Sequence, residues 1–137
     1  MNVLIDTNVI LDTVLKRSPF HEDASNVLGL IGRKPFRFFI TASMATDLYY
    51  FLTKYLGSKR SIEYLKDLAS AIDICSVNHS HINKALSASS KDFEDAVQFF
   101  SAQDAKVEAI ITRDKSGFKD FDIDAMTPRE FLETHLL

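Results

Sequence analysis

The chain has 137 residues, 46% hydrophobic and 26% charged, values that fit one globular domain over 1–137 and exclude a disordered or low-complexity chain. Its net charge of −3 counts weakly against a nucleic-acid binder, unless the acids are gathered in a metal site that reverses the local field. A single cysteine, Cys75, excludes an internal disulfide; it suits a reducing cytosol and reads as a small buried hydrophobe.

The first element expected is a strand over Met1 to Ile5, a short apolar run of the kind buried on both faces of a sheet. No basic leader precedes it and no apolar run approaches membrane-spanning length, so neither a signal peptide nor a membrane partner is expected, and a cytoplasmic location is. A helix is expected over Val9 to Lys16. A second runs over Phe20 to Ile31, with Ala24, Val27, Leu28 and Ile31 at helical spacing and Gly32 as its stop. Phe36 to Ile40 reads as the second strand. Ser43 to Leu56 reads as a helix with Leu48, Phe51, Leu52 and Tyr55 on one face, punctuated by Gly57, and Ser61 to Leu68 as another.

Ala71 to Cys75 is the third strand, followed by a short helix over His79 to Ser87 and a longer one over Asp92 to Lys106. Ala109-Ile110-Ile111 is a buried strand, and Ile123 to Met126 a last short one. A final helix starts at Thr127-Pro128, where Thr suits the cap and Pro the first helical position. The eleven Phe residues and the lack of Trp suggest a core filled largely by Phe. Strands alternating with helices predict an α/β fold, with a mainly parallel sheet and helices on both faces. Right-handed crossovers bring all strand C-termini to one edge, where ligands bind in such sheets.

Acids recur at that edge. Asp6 follows the first strand, Asp47 lies one turn into the helix after the second, Asp92 and Asp95 open the helix Asp92-Phe93-Glu94-Asp95-Ala96, and Asp114 follows the strand Ala109-Ile110-Ile111. Each has a structural alternative. Asp6 can cap the next helix, Asp92 and Asp95 can form a capping pair, Asp114 can make an Asx turn, and Asp47 can face solvent. Together they are better explained as one site. Two carboxylates 5 Å apart repel by roughly 3 kcal/mol at an effective dielectric near 20, and a hard divalent cation relieves that repulsion. An all-oxygen set suits Mg²⁺ or Mn²⁺ rather than zinc.

Asn8, Ser43 and Thr112 are supporting polar residues, each of which can equally cap a helix or end a strand. Asp12 reads as a helix-face residue near the same edge. Lys16, Arg17, Lys54, Lys59, Arg60, Arg113 and Lys115 are cations available to phosphate; Arg113 and Lys115, which flank Asp114, are the preferred ones and the rest read mainly as solvated surface. The pair His79 and His81 is weak evidence of metal binding and is set aside.

The blocks Asp6-Thr7-Asn8-Val9-Ile10-Leu11-Asp12, Ser43-Met44-Ala45-Thr46-Asp47-Leu48-Tyr49-Tyr50, Asp92-Phe93-Glu94-Asp95-Ala96 and Ile111-Thr112-Arg113-Asp114 resemble, in order and spacing, those of PIN-domain nucleases, in particular the single-domain prokaryotic branch of VapC-like toxins. The resemblance spans essentially the whole chain. It implies a PIN fold, a three-layer α/β/α arrangement around a twisted parallel sheet of four or five strands. It also implies an acidic pocket holding Mg²⁺ or Mn²⁺ and endonucleolytic cleavage of RNA, as by the toxin of a type II toxin–antitoxin pair. Asp6, Asp47, Asp95 and Asp114 match the catalytic acids, with Asp6, Asp92, Asp95 and Asp114 expected on the metal and Asn8, Ser43 and Thr112 as helpers. An antitoxin protein and a second copy of the chain are the implied partners besides RNA, with Leu48-Tyr49-Tyr50-Phe51 a candidate contact, although Leu48, Phe51 and Leu52 read first as core.

One position departs from the pattern: the second acid, usually Glu, is Asp47, shorter by one methylene. That keeps a weak or non-catalytic scaffold binding RNA or protein as the alternative. An aspartyl phosphotransferase is a further alternative, but its chemistry needs a proton-donating acid two residues after Asp6, where Asn8 stands.

Overall fold

The computed structural model describes residues 1–136; Leu137, the last residue of the expected domain, lies outside the described residues. Its five strands are β1 (Asn2–Ile5), β2 (Arg37–Thr41), β3 (Asp73–Cys75), β4 (Ala109–Ile111) and β5 (Asp124–Met126). They form one all-parallel sheet in the order β3-β2-β1-β4-β5. The apolar runs that predicted β1 and β4 lie at its middle: Val3, Leu4, Ile5, Ala109, Ile110 and Ile111 are all fully buried. Leu4 pairs with Phe39 on one side and Ile110 on the other. Burying each Leu or Ile contributes about 1.5–3 kcal/mol, so these two strands anchor the sheet.

The helices are α1 (Thr7–Val14), α2 (His21–Leu28), α3 (Ala42–Ala71), α4 (His79–Ser87), α5 (Phe93–Asp104) and α6 (Pro128–Leu136). From β1 the chain steps outward to β2 and β3, then returns past β1 to β4 and β5. With right-handed crossovers, that reversal puts α4 and α5 on the face opposite α1 and α2, giving the expected three layers. The reversal lies between β1 and β4, the place where ligands bind in such sheets.

Some boundaries differ from the expectation. α2 ends at Leu28 and not Ile31, and Gly32 takes its positive φ of 85° in the turns that follow. The two helices expected over 43–56 and 61–68 run together as α3, bent at Gly57, whose φ of 76° and ψ of 169° are non-helical. Only glycine adopts that conformation without strain. Thr41, one residue before the helix, caps α3 by accepting the Met44 N–H at 3.1 Å, so Ser43 is not the cap. Thr127 caps α6 as expected, exchanging bonds of 3.1 Å with Glu130 in both directions.

Phe fills the core only in part. Phe38, Phe39, Phe99, Phe118 and Phe131 are buried, but Phe20, Phe51 and Phe93 are exposed. Phe51 and Tyr55, expected on the apolar face with Leu48 and Leu52, point outward instead, while Leu48 and Leu52 are fully buried. Cys75 is buried and free, as expected. Among the described residues, no helix is long and apolar enough to cross a membrane.

Candidate active site

At the β1–β4 edge, Asp6, Thr7, Asn8, Asp47, Phe51, Asp92, Glu94, Asp95, Gln98 and Asp114 line one cleft of about 220 Å³. All five nominated aspartates are therefore brought to the same place. β1 delivers Asp6 and β4 delivers Thr112 beside it, because the two strands are hydrogen-bonded neighbours and the Asp6 N–H donates to the Ile111 carbonyl at 2.9 Å. Glu94 and Gln98 were not nominated. Glu94 sits in the first turn of α5 and Gln98 one turn further on, among apolar neighbours, so neither stands out from spacing alone.

Thr112 is the hub. Fully buried, it donates to Asp6 Oδ2 at 2.7 Å and accepts the Asp114 N–H at 3.2 Å. Asn8 Nδ2 donates to the same Asp6 oxygen at 3.4 Å. Asp6 stands at the N-cap of α1 but makes no side-chain capping bond, so its carboxylate is directed elsewhere. Asp92 does cap: its Oδ1 accepts the Asp95 N–H at 3.0 Å. Asp114 makes the Asx turn, accepting from the Ser116 N–H at 3.0 Å and hydroxyl at 2.6 Å. The cap and the turn therefore coexist with the cleft. Ser43 bonds the Thr41 hydroxyl at 2.9 Å and lines the adjoining hollow, which shares Asp47, Glu94 and Gln98 with the main cleft.

The electrostatics are those of crowded acids. Burial pushes Asp95 up to about 7, with the charges of Asp92, Asp6, Asp114 and Glu94 adding to it. Burial also raises Asp6, against the lowering effect of Thr112, and raises Asp47. Glu94 is raised by burial and then by Asp47, Asp92 and Asp6. Only Asp114 is held low, by its bonds to Ser116. No lysine or arginine is among the described residues lining the cleft. Two buried amide oxygens on residues that line it, Asn8 Oδ1 and Gln98 Oε1, have no hydrogen-bond partner.

Such a set, rich in acceptors and without a cation, fits a hydrated hard cation, which takes carboxylate oxygens and offers water protons to the outlying ones. Among the described residues no three Asp, Glu, His or Cys side chains are already drawn into a cage.

The two preferred phosphate-binding cations are both engaged. Arg113 meets Asp12 at 2.7 Å and lies 4.1 Å over the Phe20 ring, and Lys115 pairs with Glu130 at 2.9 Å. Asp12 stands on α1 as expected and is fully buried there, because Arg17 (2.8 Å) and Arg113 close over it. These are charge contacts rather than aligned hydrogen bonds. The pairing ties α1 to the loop that carries Thr112 and Asp114, and sequence spacing gives no sign of it. His79 and His81 open α4; His81 is buried and pairs with Asp104 at 2.5 Å, away from the cleft.

Gly117, in the 3-10 turn over Lys115–Phe118, packs against Asp95 so closely that an added Cβ would fall on the carboxylate. Gly117→Ala is therefore expected to displace the Asp95 side chain and weaken Mn²⁺ binding by about tenfold or more, in line with losses at groups that orient metal ligands. Calorimetric Mn²⁺ titration checks it, with circular dichroism confirming an unchanged fold; wild-type affinity would show that Asp95 has room to move.

The family model of the PIN domain matches residues 2–116. The chain is 26% identical over 136 residues to Ribonuclease VapC1 of Aquifex aeolicus (strain VF5), covering 96% of this chain and 93% of that protein. Among solved structures it is similar to a toxin–antitoxin complex from Klebsiella pneumoniae, at a TM-score of 0.69 and 22% identity over 92% of this chain and 97% of that one. It is also similar to Mycobacterium tuberculosis VapC20, described as a sarcin–ricin loop cleaving toxin, at a TM-score of 0.66 and 13% identity over 83% and 91%.

Proposed function

This chain belongs to the PIN-domain family, and from that premise we propose that it is a divalent-metal-dependent endoribonuclease whose cleft residues Asp6, Asp92, Asp95 and Asp114 hold Mg²⁺ or Mn²⁺. The observation that carries the reading is the convergence of Asp6, Asp47, Asp92, Asp95 and Asp114 on one cleft that, among the described residues, no lysine or arginine lines. A carboxyl pushed to about 7 by burial and by neighbouring acids marks a site built for positive charge that the chain itself does not supply. Its likeness to a protein named a ribonuclease supports RNA as the substrate.

When bound, the ion supplies the charge that admits a phosphodiester and the Lewis acidity that hydrolysis needs. The chain does the rest. Thr112 and Asn8 fix the orientation of Asp6, and Ser116 fixes Asp114. Asp47, raised by burial and without a hydrogen-bond donor among the described residues, is the group we assign to take a proton from the attacking water. Glu94, beside it in the cleft, carries the longer reach that Asp47 lacks. Burial raises the Asp6 carboxyl, and the charge of Arg113, bound to Asp12, offsets a small part of that rise. The similarity to a toxin–antitoxin complex supports a protein antitoxin as partner, and the same proposal includes a homodimer.

The test is cleavage of a labelled single-stranded RNA. Cutting is expected with Mg²⁺ or Mn²⁺, none in EDTA, and none by Asp6→Asn at unchanged circular dichroism. Robust cutting in EDTA, or by Asp6→Asn, would refute the metal site. No cutting by wild type with metal present would favour the non-catalytic scaffold.

A further inference from the structure

Asp47 and Phe51 both line the acidic cleft, one helical turn apart on α3, and Tyr55 follows one turn further out. Tyr50 and Lys54 flank this row. The three rings are open to solvent: Phe51 is 41% exposed, Tyr50 58% and Tyr55 67%. Tyr50 and Phe51 meet edge to face at 5.4 Å, and the Lys54 ammonium stands 4.3 Å over the Tyr50 ring. Among the described residues Lys54, Lys59 and Arg60 make no ion pair, while Arg113 and Lys115 are tied to Asp12 and Glu130. A chain that buries Leu48 and Leu52 on this helix yet leaves three adjacent aromatics in water has placed a contact surface, and that surface starts at the cleft.

We propose that Phe51, Tyr50 and Tyr55 form a stacking platform for unpaired bases of an RNA strand whose backbone enters the acidic cleft, with Lys54 as the first phosphate contact. This rests on the nuclease reading and names the residues that hold the strand beside its cleft. The cleft offers phosphate a metal site but no ring and no free cation except at its Phe51 edge. Stacking needs exposed base faces, which a duplex hides, and an aromatic platform accepts any base. Lys59 and Arg60 follow Gly57 on the same element and add positive charge, which suits a polyanion. A second copy fits less well, since a twofold contact through this face would set the same lysines and arginine against themselves.

The experiment is fluorescence anisotropy of a short labelled RNA single strand, and of the same strand in a duplex, with the full-length Asp95→Asn protein as the non-cleaving parent. Phe51→Ala is expected to weaken single-strand binding by about tenfold or more and Tyr55→Ala several-fold, while Phe51→Trp retains it. Lys54→Ala is expected to reduce the salt dependence by about one phosphate contact. Duplex binding is weaker and indifferent to the ring changes. The Mn²⁺ affinity of Tyr55→Ala in the wild-type background stays unchanged, which separates the platform from the metal site. Single-strand binding equal to the parent's in Phe51→Ala and Tyr55→Ala overturns the platform alone. So does a shift from dimer to monomer in those variants at unaltered RNA affinity, which assigns the face to a second copy. A parent that binds no RNA while wild type with Mn²⁺ still cleaves the strand overturns the platform alone; no binding by the parent and no cleavage by wild type overturn the nuclease reading and the platform together.

Discussion

Replacing Asp95 with asparagine is expected to lower RNA cleavage by more than about a hundredfold, because even groups one layer outside a metal's own ligands are typically worth 10–100-fold. The same change is expected to stabilise the metal-free protein at neutral and alkaline pH. Burial, and then the charges of Asp92, Asp6 and Asp114, raise Asp95 to about 7, against about 3.9 in an unfolded chain. The folded state thus binds this proton more tightly than the unfolded state does. For such an acid, stability is highest below the unfolded value, falls as pH rises, and has lost its full share above the folded value. The window runs from about pH 4 to about pH 7. Asparagine has no charge to accommodate, so the variant is spared that loss. Thermal melts in EDTA read it directly: wild type and variant melt alike near pH 4 and diverge as pH rises, and Mn²⁺ restores the wild type. A wild type that matches the variant at pH 8 without metal would mean that Asp95 is not confined among uncompensated acids.

Asp12→Ala is expected to cost about 3 kcal/mol of folding free energy, near the lower end for breaking a buried ion pair. The Asp12 side chain is 1% exposed between Arg17 at 40% and Arg113 at 31%. Once the acid is gone the two guanidinium groups can turn toward water, which limits the loss. The functional consequence comes through Arg113, which stands between Thr112 and Asp114. Released from Asp12, it loosens the loop that carries both, and cleavage is expected to fall with stability. Urea unfolding checks this, as a lower midpoint at an unchanged slope. An unchanged midpoint would show that the two arginine contacts are not held in solution.

The parts of the molecule that were legible in the sequence are those governed by local pattern. Apolar runs marked β1 and β4 because a central parallel strand has no face to leave polar. The nominated aspartates were legible because each follows a strand or opens a helix, and parallel topology carries all such positions to one edge. What was not legible depends on distant partners. Asp12 is spaced like a helix-face residue and is buried only because Arg113, far along the chain, closes over it. Gly117 reads as an ordinary turn glycine, and its need for a bare Cα comes from Asp95. Phe51 sits at core spacing between Leu48 and Leu52, yet it lines the cleft and stays exposed. Glu94 was hidden between two aspartates whose capping and site roles were easier to argue. Of the two His residues at the start of α4, His81 pairs with Asp104, a partner 23 residues away that local spacing does not reveal.

Anomalous diffraction from crystals grown with Mn²⁺ asks most directly whether these acids serve one ion. A peak inside the cleft, within ligand distance of carboxylate oxygens from Asp6 and Asp95 and reached by Asp114 or Asp92, is the predicted result. A peak elsewhere on the protein, or none at Mn²⁺ concentrations that support cleavage, would contradict a shared cation at the β1–β4 edge.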